Sequence, residues 1–233
     1  MPLRLLSLLC LLFVTAQEPL APAAAGDSEV YVVREVRGWT VRVHPGLAAE
    51  GSELGAQVLE LLEARLLEVT RTVPNKALAE LRKVELWMEL DYEGVPGGVY
   101  HPSREWLIGN GHDPALARCV QFGNAKNFLS WSFSQPSMVI HELAHAYHHQ
   151  VLGYDEPTIA EAYALAKGSG DYDAVLRYGG SREKAYGMNN AKEYFAELSE
   201  AYFGTNDFYP FVRPELKEHD PRGFDAIESL WSR

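Results

Sequence analysis

Residues 137–149 read SMVIHELAHAYHH and contain the pattern His-Glu-x-x-His. The apolar residues of this stretch recur at helical spacing, so it is predicted to form a helix. His141 and His145 lie four residues apart on one face of that helix and can both direct a ring nitrogen at one metal ion. Glu142 projects beside the metal, where a carboxylate can hold and deprotonate a water molecule. The stretch predicts a catalytic zinc site, and the alternative is a chance match in a histidine-rich helix.

A catalytic zinc site needs a third protein ligand and one open position. Metalloproteases with a third histidine place it six residues after the second, where this chain has Val151. The other common ligand is a glutamate on a later helix. Residues 190–203, NAKEYFAELSEAYF, place Glu193 and Glu197 on one helical face among apolar residues. Burying ionised carboxylates alone is costly, so this pair indicates a nearby dication, with one glutamate as ligand and the other bonded to a ligating imidazole.

A different interpretation of this segment is a capping box. Asn190 and Glu193 have the spacing at which a side chain in the first helical turn bonds back to the start of its own helix. In that case Glu197 would be the zinc ligand, or neither glutamate would be. The residues alone leave the choice between Glu193 and Glu197 open.

The segments HELAH at 141–145 and EYFAE at 193–197 resemble the glutamate zincins, and most closely the group of the anthrax lethal factor catalytic domain. The resemblance implies that Glu193 binds zinc and that Glu197 supports the site from behind. It also implies a catalytic tyrosine seven residues before the ligand, which here is Tyr186. It covers roughly residues 100–211. Tyr186 is equally compatible with an ordinary packed aromatic, since the chain has 12 tyrosines.

The expected function is therefore that of an exported zinc metallopeptidase, in which Glu142 acts as general base on a zinc-activated water and Tyr186 stabilises the oxyanion. Its cofactor would be Zn²⁺ and its substrate a peptide or protein. The substrate is expected to add to an exposed strand edge, at the strands predicted around Trp106 or Cys119. One rival is an exported zinc-binding recognition module without turnover, and the other is a metal-free helical binding protein with incidental histidines.

The N-terminal residues predict export. Residues 1–16 combine a positive start, a ten-residue apolar core and a small-residue cleavage point, which is typical of a signal peptide, and cleavage as late as residue 25 is an alternative. Residues 17–28 are expected to form a flexible tail, and residues 29–233 the zinc metallopeptidase domain. The protein would then be secreted or periplasmic, without a membrane span.

Charge and cysteine content limit the classes of partner and of stabilising bond. The net charge is −11, and removal of residues 1–16, which takes away Arg4, gives −12. An acidic chain of this kind argues against nucleic acid or an anionic membrane as partner. Cleavage would also remove Cys10 and leave Cys119 without an internal disulfide partner. Cys119 is expected to be a small buried hydrophobe rather than a reactive thiol.

Hydrophobic periodicity predicts an α+β fold, with a small N-terminal mixed or antiparallel sheet, a long helix and a mostly helical C-terminal half. The resemblance to the glutamate zincins implies that this fold is zincin-like. The long helix should bury a stripe formed by Leu54, Val58, Leu61, Leu62, Arg65 and Val69. The expected elements are a hairpin turning at Arg37 and Gly38, helices at 52–72 and 75–82, a strand at 84–90, a loop at 94–103, strands at 106–108 and 117–122, a helix at 125–131, and helix and loop beyond residue 150.

The remaining histidines are not expected to bind the metal. His148 is expected to be solvated or to cap a helix, and His149 to lie on the surface. His101, His112 and His219 fall in segments rich in proline and glycine, without partners at ligand spacing.

Overall fold

The structure is a computed structural model that describes residues 30–233. The expected signal peptide at 1–16 and tail at 17–28 lie outside the described residues. Within 30–233 the fold is α+β, as predicted from the order of the elements. None of the helices in this range has the length and apolar character that crossing a bilayer requires.

The strands form one mixed five-stranded sheet and one two-stranded hairpin. The larger sheet has the order β1-β2-β3-β5-β4, with antiparallel pairs at its two outer positions and parallel pairs inside. The strands are β1 (Val32–Val36), β2 (Trp39–Val43), β3 (Leu86–Met88), β4 (Gly98–Tyr100), β5 (Val120–Phe122), β6 (Val175–Leu176) and β7 (Arg182–Glu183).

Helices make up most of the remaining structure. A π-helical turn, His148–Leu152, continues the histidine helix, and 3₁₀ turns occur at Pro114–Leu116 and Tyr186–Asn189. The α-helices are α1 (Pro45–Ala48), α2 (Glu53–Thr72), α3 (Asn75–Leu81), α4 (Arg104–Gly109), α5 (Ala125–Trp131), α6 (Met138–Tyr147), α7 (Pro157–Ser169), α8 (Ala191–Phe203), α9 (Arg213–His219) and α10 (Pro221–Trp231).

The N-terminal hairpin and the long helix are confirmed. Arg37 and Gly38 both have positive φ, 53° and 92°, as the tight turns of two-residue hairpins require. The predicted stripe of α2 is confirmed at Val58, Leu62 and Val69. Leu66 completes it, and the other three predicted members are only partly buried.

Three predicted elements are wrong. Residues 106–108 belong to α4 rather than to a strand, because Ser103 caps that helix by accepting a hydrogen bond from the Trp106 amide at 3.1 Å. The predicted loop at 94–103 contains β4. Its glycines mark a close approach, since a Cβ on Gly98 would lie 2.9 Å from Cγ of Glu142. Beyond residue 150 the chain also forms the β6–β7 hairpin.

The histidine helix α6 lies between the sheet and the C-terminal helices. It contacts β4 and β5 on one side and α8 on the other. The main hydrophobic core extends from Trp39 to Trp231 and includes Leu143 and Ala144 of α6. Cys119, just before β5, is buried as expected, and burial raises the pKa of its thiol to about 11. Because core residues hold α6 and α8 together, their facing side chains have fixed positions.

Candidate metal centre

His141 and His145 lie one turn apart on α6 and face the same point. Their ring centroids are 4.7 Å apart and the rings are nearly perpendicular, with the two Nε2 atoms 3.1 Å apart. Both side chains are 12% exposed. The helical spacing read from the sequence therefore brings the two rings together.

Glu193 approaches the same point from the first turn of α8. Asn190 caps this helix, because its side-chain oxygen accepts hydrogen bonds from the amides of Lys192 and Glu193 at 2.9 and 3.1 Å. The Glu193 carboxylate is directed at the histidines rather than back to the helix start. Its Oε2 lies 3.3 Å from Nε2 of His141 and 3.2 Å from Nε2 of His145.

The three donor atoms fit a tetrahedral zinc ion. The two Nε2 atoms and Oε2 of Glu193 form a triangle with edges of 3.1, 3.2 and 3.3 Å. Zinc binds nitrogen and carboxylate oxygen at about 2.0–2.1 Å, and the edge of a tetrahedron with such bonds is about 3.3 Å. The donor types, their number and their spacing all agree with three protein ligands of a four-coordinate site.

Opposite charge stabilises the cluster when no metal is bound. Burial alone would lower the pKa of His141, but hydrogen bonds to Glu193 and Glu200 outweigh it and raise this pKa well above its usual range. Burial of Glu193 is likewise outweighed by His141 and His145, which lower the pKa of its carboxyl. Hydrogen bonds to these two carboxylates therefore favour the charged form of the His141 imidazole.

Glu200 was missed by the sequence interpretation. Its Oε1 lies 2.6 Å from Nδ1 of His141, whereas Oε1 of Glu197 lies 3.9 Å away. Glu197 had been expected to accept the imidazole hydrogen bond, and Glu200 is the residue at that position. The available signal was its spacing of seven residues from Glu193, which returns to the same helical face after two turns.

Glu197 lies behind His141 and has a side-chain hydrogen bond with Asn206. Its Oε2 has no hydrogen-bond partner among the described residues, and its side chain is 6% exposed. Burial and the neighbouring Glu200 raise the pKa of the Glu197 carboxyl well above its usual range. His141, Glu197 and Glu200 form a second group with metal-like spacing, but the hydrogen bond between Nδ1 and Glu200 explains that arrangement without an ion.

Glu142 lies beside the donor cluster and is not part of it. Its side chain and that of His141 line a cleft of about 930 Å³. The residue is 7% exposed and packs against the backbone of β4 at Gly98. The structure thus places one carboxylate next to the three donors and on the wall of an open cleft.

Two tyrosines flank the cluster. Tyr186 lines the cleft, is 46% exposed, and has its ring centroid 6.4 Å from that of His141. Tyr154 was not singled out in the sequence. Burial, together with the charges of Glu193 and Glu142, raises the pKa of its hydroxyl to about 12.

The neighbouring histidines differ from expectation. His148 is 1% exposed instead of solvated, packs against the rings of Tyr154 and Phe195, and has neither ring nitrogen bonded within the described residues. It is buried because, seven residues after His141, it returns to the face of the helix that packs against α8. His149 is partly buried, with Nδ1 2.7 Å from the Tyr100 hydroxyl.

The other three histidines form hydrogen bonds or ring contacts with neighbouring side chains. His101 is buried and hydrogen-bonded to Gln121 at 2.9 Å, and His112 stacks against the ring of Trp106. His219 packs edge-on against aromatic rings. Within residues 30–233, none of them belongs to a group with metal-ligand spacing.

The chain matches no protein-family model, no curated protein and no solved structure. The three donors and the cleft beside them are therefore the observations from which a function is inferred.

Proposed function

We propose that the protein is an exported zinc metallopeptidase in which His141, His145 and Glu193 hold the metal. The observation that carries this proposal is the triangle of donor atoms, with edges of 3.1 to 3.3 Å, beside Glu142 in an open cleft. The resemblance of HELAH and EYFAE to the glutamate zincins supports it. The zincin-like character of the fold and the likeness to the lethal factor group belong to the proposal, as does export directed by residues 1–16.

Glu142 acts as the general base. When bound, zinc would supply a Lewis acid that polarises a carbonyl group and lowers the pKa of water. The Glu142 carboxylate takes the proton of the attacking water and delivers it to the leaving nitrogen of the peptide. This role is supported by its place on the cleft wall, outside the donor triangle.

Glu200 fixes the orientation and tautomer of His141. Its carboxylate, 2.6 Å from Nδ1, accepts a hydrogen bond from the N–H at that position and leaves the lone pair of Nε2 available to a metal. Because Glu200 is 4% exposed, this bond has little competition from water. Glu200 is therefore a positioning residue that acts through His141.

Tyr186 donates a hydrogen bond to the oxyanion that develops on the attacked carbonyl. Support comes from its exposure in the cleft and from its approach to His141. A donor of this kind is often worth about 3 kcal/mol of transition-state stabilisation.

The substrate is an extended peptide that adds to β4. This differs from the sequence expectation, because Trp106 is helical and the strand after Cys119, β5, is paired on both sides with β3 and β4. Strand β4 is the last strand of the five-stranded sheet and pairs only with β5 among the described strands. An edge strand of this kind offers backbone donors and acceptors to an added peptide.

Zinc analysis and one substitution test the proposal. The purified protein should contain one zinc ion per chain and cleave members of a broad peptide library. Glu142→Gln should keep the zinc and lose about a thousandfold in cleavage rate, because the proton acceptor is removed. Absence of stoichiometric zinc would reject the enzyme. Bound zinc with equal background cleavage by both proteins would instead favour a zinc-binding recognition module without turnover.

A further inference from the structure

The wall of the cleft has two chemically different parts. The part formed by residues 141–208 carries charged side chains, among them Arg177, Glu183 and Lys184. The part formed by residues 94–112 contributes no aspartate, glutamate, lysine or arginine to the wall. That part contains Trp106 and His112. A ligand that fills the cleft therefore meets ionised groups in one part and aromatic rings in the other.

The aromatic part is a stack of three rings. Trp106 lies on His112 with centroids 5.5 Å apart and an interplanar angle of 13°. His112 lies in turn on Tyr92, at 5.8 Å and 26°, and its Nδ1 is 3.2 Å from the Tyr92 hydroxyl. The cap that Ser103 provides fixes the start of α4, the helix that carries Trp106. The indole is therefore supported by its neighbours and still 54% exposed.

Strand β4 connects this stack with the proposed catalytic base. It begins at Gly98, which packs against Glu142, and the next residue after its end is His101. The ring of His101 is 6.4 Å from that of His112. An extended chain advances about 3.3 Å per residue, so the step from Gly98 to His101 spans about 10 Å. A peptide added to β4 would thus run from Glu142 towards the aromatic stack.

We propose that Trp106, supported by His112 and Tyr92, forms a subsite for an aromatic or large apolar side chain of the peptide substrate. The side chain lies about three residues from the cleaved bond, as the spacing along β4 sets. An aromatic side chain gains from stacking on the indole, whereas a charged one would lose hydration without meeting an opposite charge in this part of the wall. The subsite rests on the proposed function for its ligand being a peptide.

Peptide binding without cleavage tests the subsite. Zinc-loaded Glu142→Gln protein is titrated with fluorescein-labelled decapeptides in which one phenylalanine, or a matched serine, occupies each position in turn, and fluorescence anisotropy gives the affinity. At one position the phenylalanine peptide should bind about tenfold more tightly than its serine match. Adding Trp106→Ala should abolish this preference. Adding Ile108→Ala should keep it, because Ile108 is equally exposed on α4 but does not line the cleft.

A variant that gains a new peptide preference shows that the loss in Trp106→Ala is not caused by misfolding. Trp106→Glu should bind lysine peptides best at the position where the parent prefers phenylalanine, which a damaged fold would not produce. The subsite is overturned if no decapeptide binds, if the parent shows no preference, or if Trp106→Ala retains it. Failure of the proposed function would give a different result. The peptides would bind with the Trp106-dependent preference, but the wild-type protein would cleave none of them.

Discussion

The two sides of the His141 ring have opposite surroundings. On the Nε2 side, Glu193 and His145 complete the donor cluster, and the neighbouring imidazoles lower the pKa of the Glu193 carboxyl against the effect of burial. On the Nδ1 side, Glu197 and Glu200 are buried, and burial raises the pKa of both carboxyls. The three glutamates of α8 thus differ in electrostatic role, because Glu193 lies next to Nε2 of the His141 ring, whereas Glu197 and Glu200 lie on the Nδ1 side. The Nε2 side, which we call the front, is suited to binding a cation. The Nδ1 side, which we call the rear, is suited to holding the imidazole ring in position.

Removing the front carboxylate should have the largest effect. Glu193→Gln takes one of three charged or lone-pair donors from the proposed zinc site, and zinc affinity should fall about a thousandfold. The measurement is competition for zinc with a chromophoric chelator at pH 7.5. Glu197→Gln is the matched control on the same helix, and it should bind zinc nearly as the wild type does. If the control lost as much affinity as Glu193→Gln, the division into front and rear would be wrong.

Removing the rear hydrogen bond should have a smaller effect on the same quantity. Glu200→Gln replaces the charged acceptor 2.6 Å from Nδ1 of His141 by a neutral amide, and zinc affinity should fall about 10- to 100-fold. Glu200→Asp is a useful second variant because it keeps the charge and moves it away from the ring. An intermediate affinity for Glu200→Asp supports positioning by a charged hydrogen bond, and unchanged affinity in both variants contradicts it.

His148 offers a second comparison with His141. Both histidines lie near α8, but the pKa of His141 is raised and the pKa of His148 is lowered. Burial lowers the pKa of His148 to about 4, the positive charges of His145, Lys192 and His149 act in the same direction, and Glu156 opposes them. The unfolded chain binds a proton near pH 6.5, so stability present above that pH is lost as pH falls towards 4.

The measurable consequence is acid sensitivity. Between pH 7.5 and pH 5, proton uptake by His148 in the unfolded chain should remove about 2 kcal/mol from the free energy of unfolding. In His148→Leu the decrease over this range should be smaller by about that amount, as measured by urea unfolding at both pH values. His44→Asn, which replaces a partly exposed helix cap by another capping residue, should retain the wild-type decrease. An unchanged pH dependence in His148→Leu would contradict a neutral, buried imidazole.

Local spacing made part of this arrangement predictable from sequence. His141 and His145 are four residues apart on one helix, so their convergence follows from helical geometry alone. The N-terminal hairpin and the long helix were predictable for the same reason, since turn residues and apolar periodicity specify them locally.

Features that depend on packing between distant segments of the chain could not be predicted from the sequence. The choice between Glu197 and Glu200 is set by how α8 lies against α6, because both return to the helical face of Glu193, four and seven residues after it. The burial of His148 depends on its packing against Phe195 of α8, which the local sequence does not specify. Strand β4 was predicted as loop because the glycines of residues 94–98 are typical of loops, whereas Gly98 makes room for side chains of α6.

The close contact between Gly98 of β4 and Glu142 gives the smallest predicted effect. Substitution of Gly98 should change the catalytic rate and leave the rear of the His141 ring unaffected. Gly98 has no positive φ that would exclude alanine, but an added Cβ would lie 2.9 Å from Cγ and 3.1 Å from Oε1 of Glu142. The carboxylate must then move by a few tenths of an ångström, and a displaced general base should lower kcat about tenfold without changing zinc affinity. Gly109→Ala is the control, because its Cβ would meet nothing within 4 Å. Since Gly98→Ala leaves the three donors in place, a loss of zinc in that variant would mean that β4 supports the metal cluster itself and not only the base beside it.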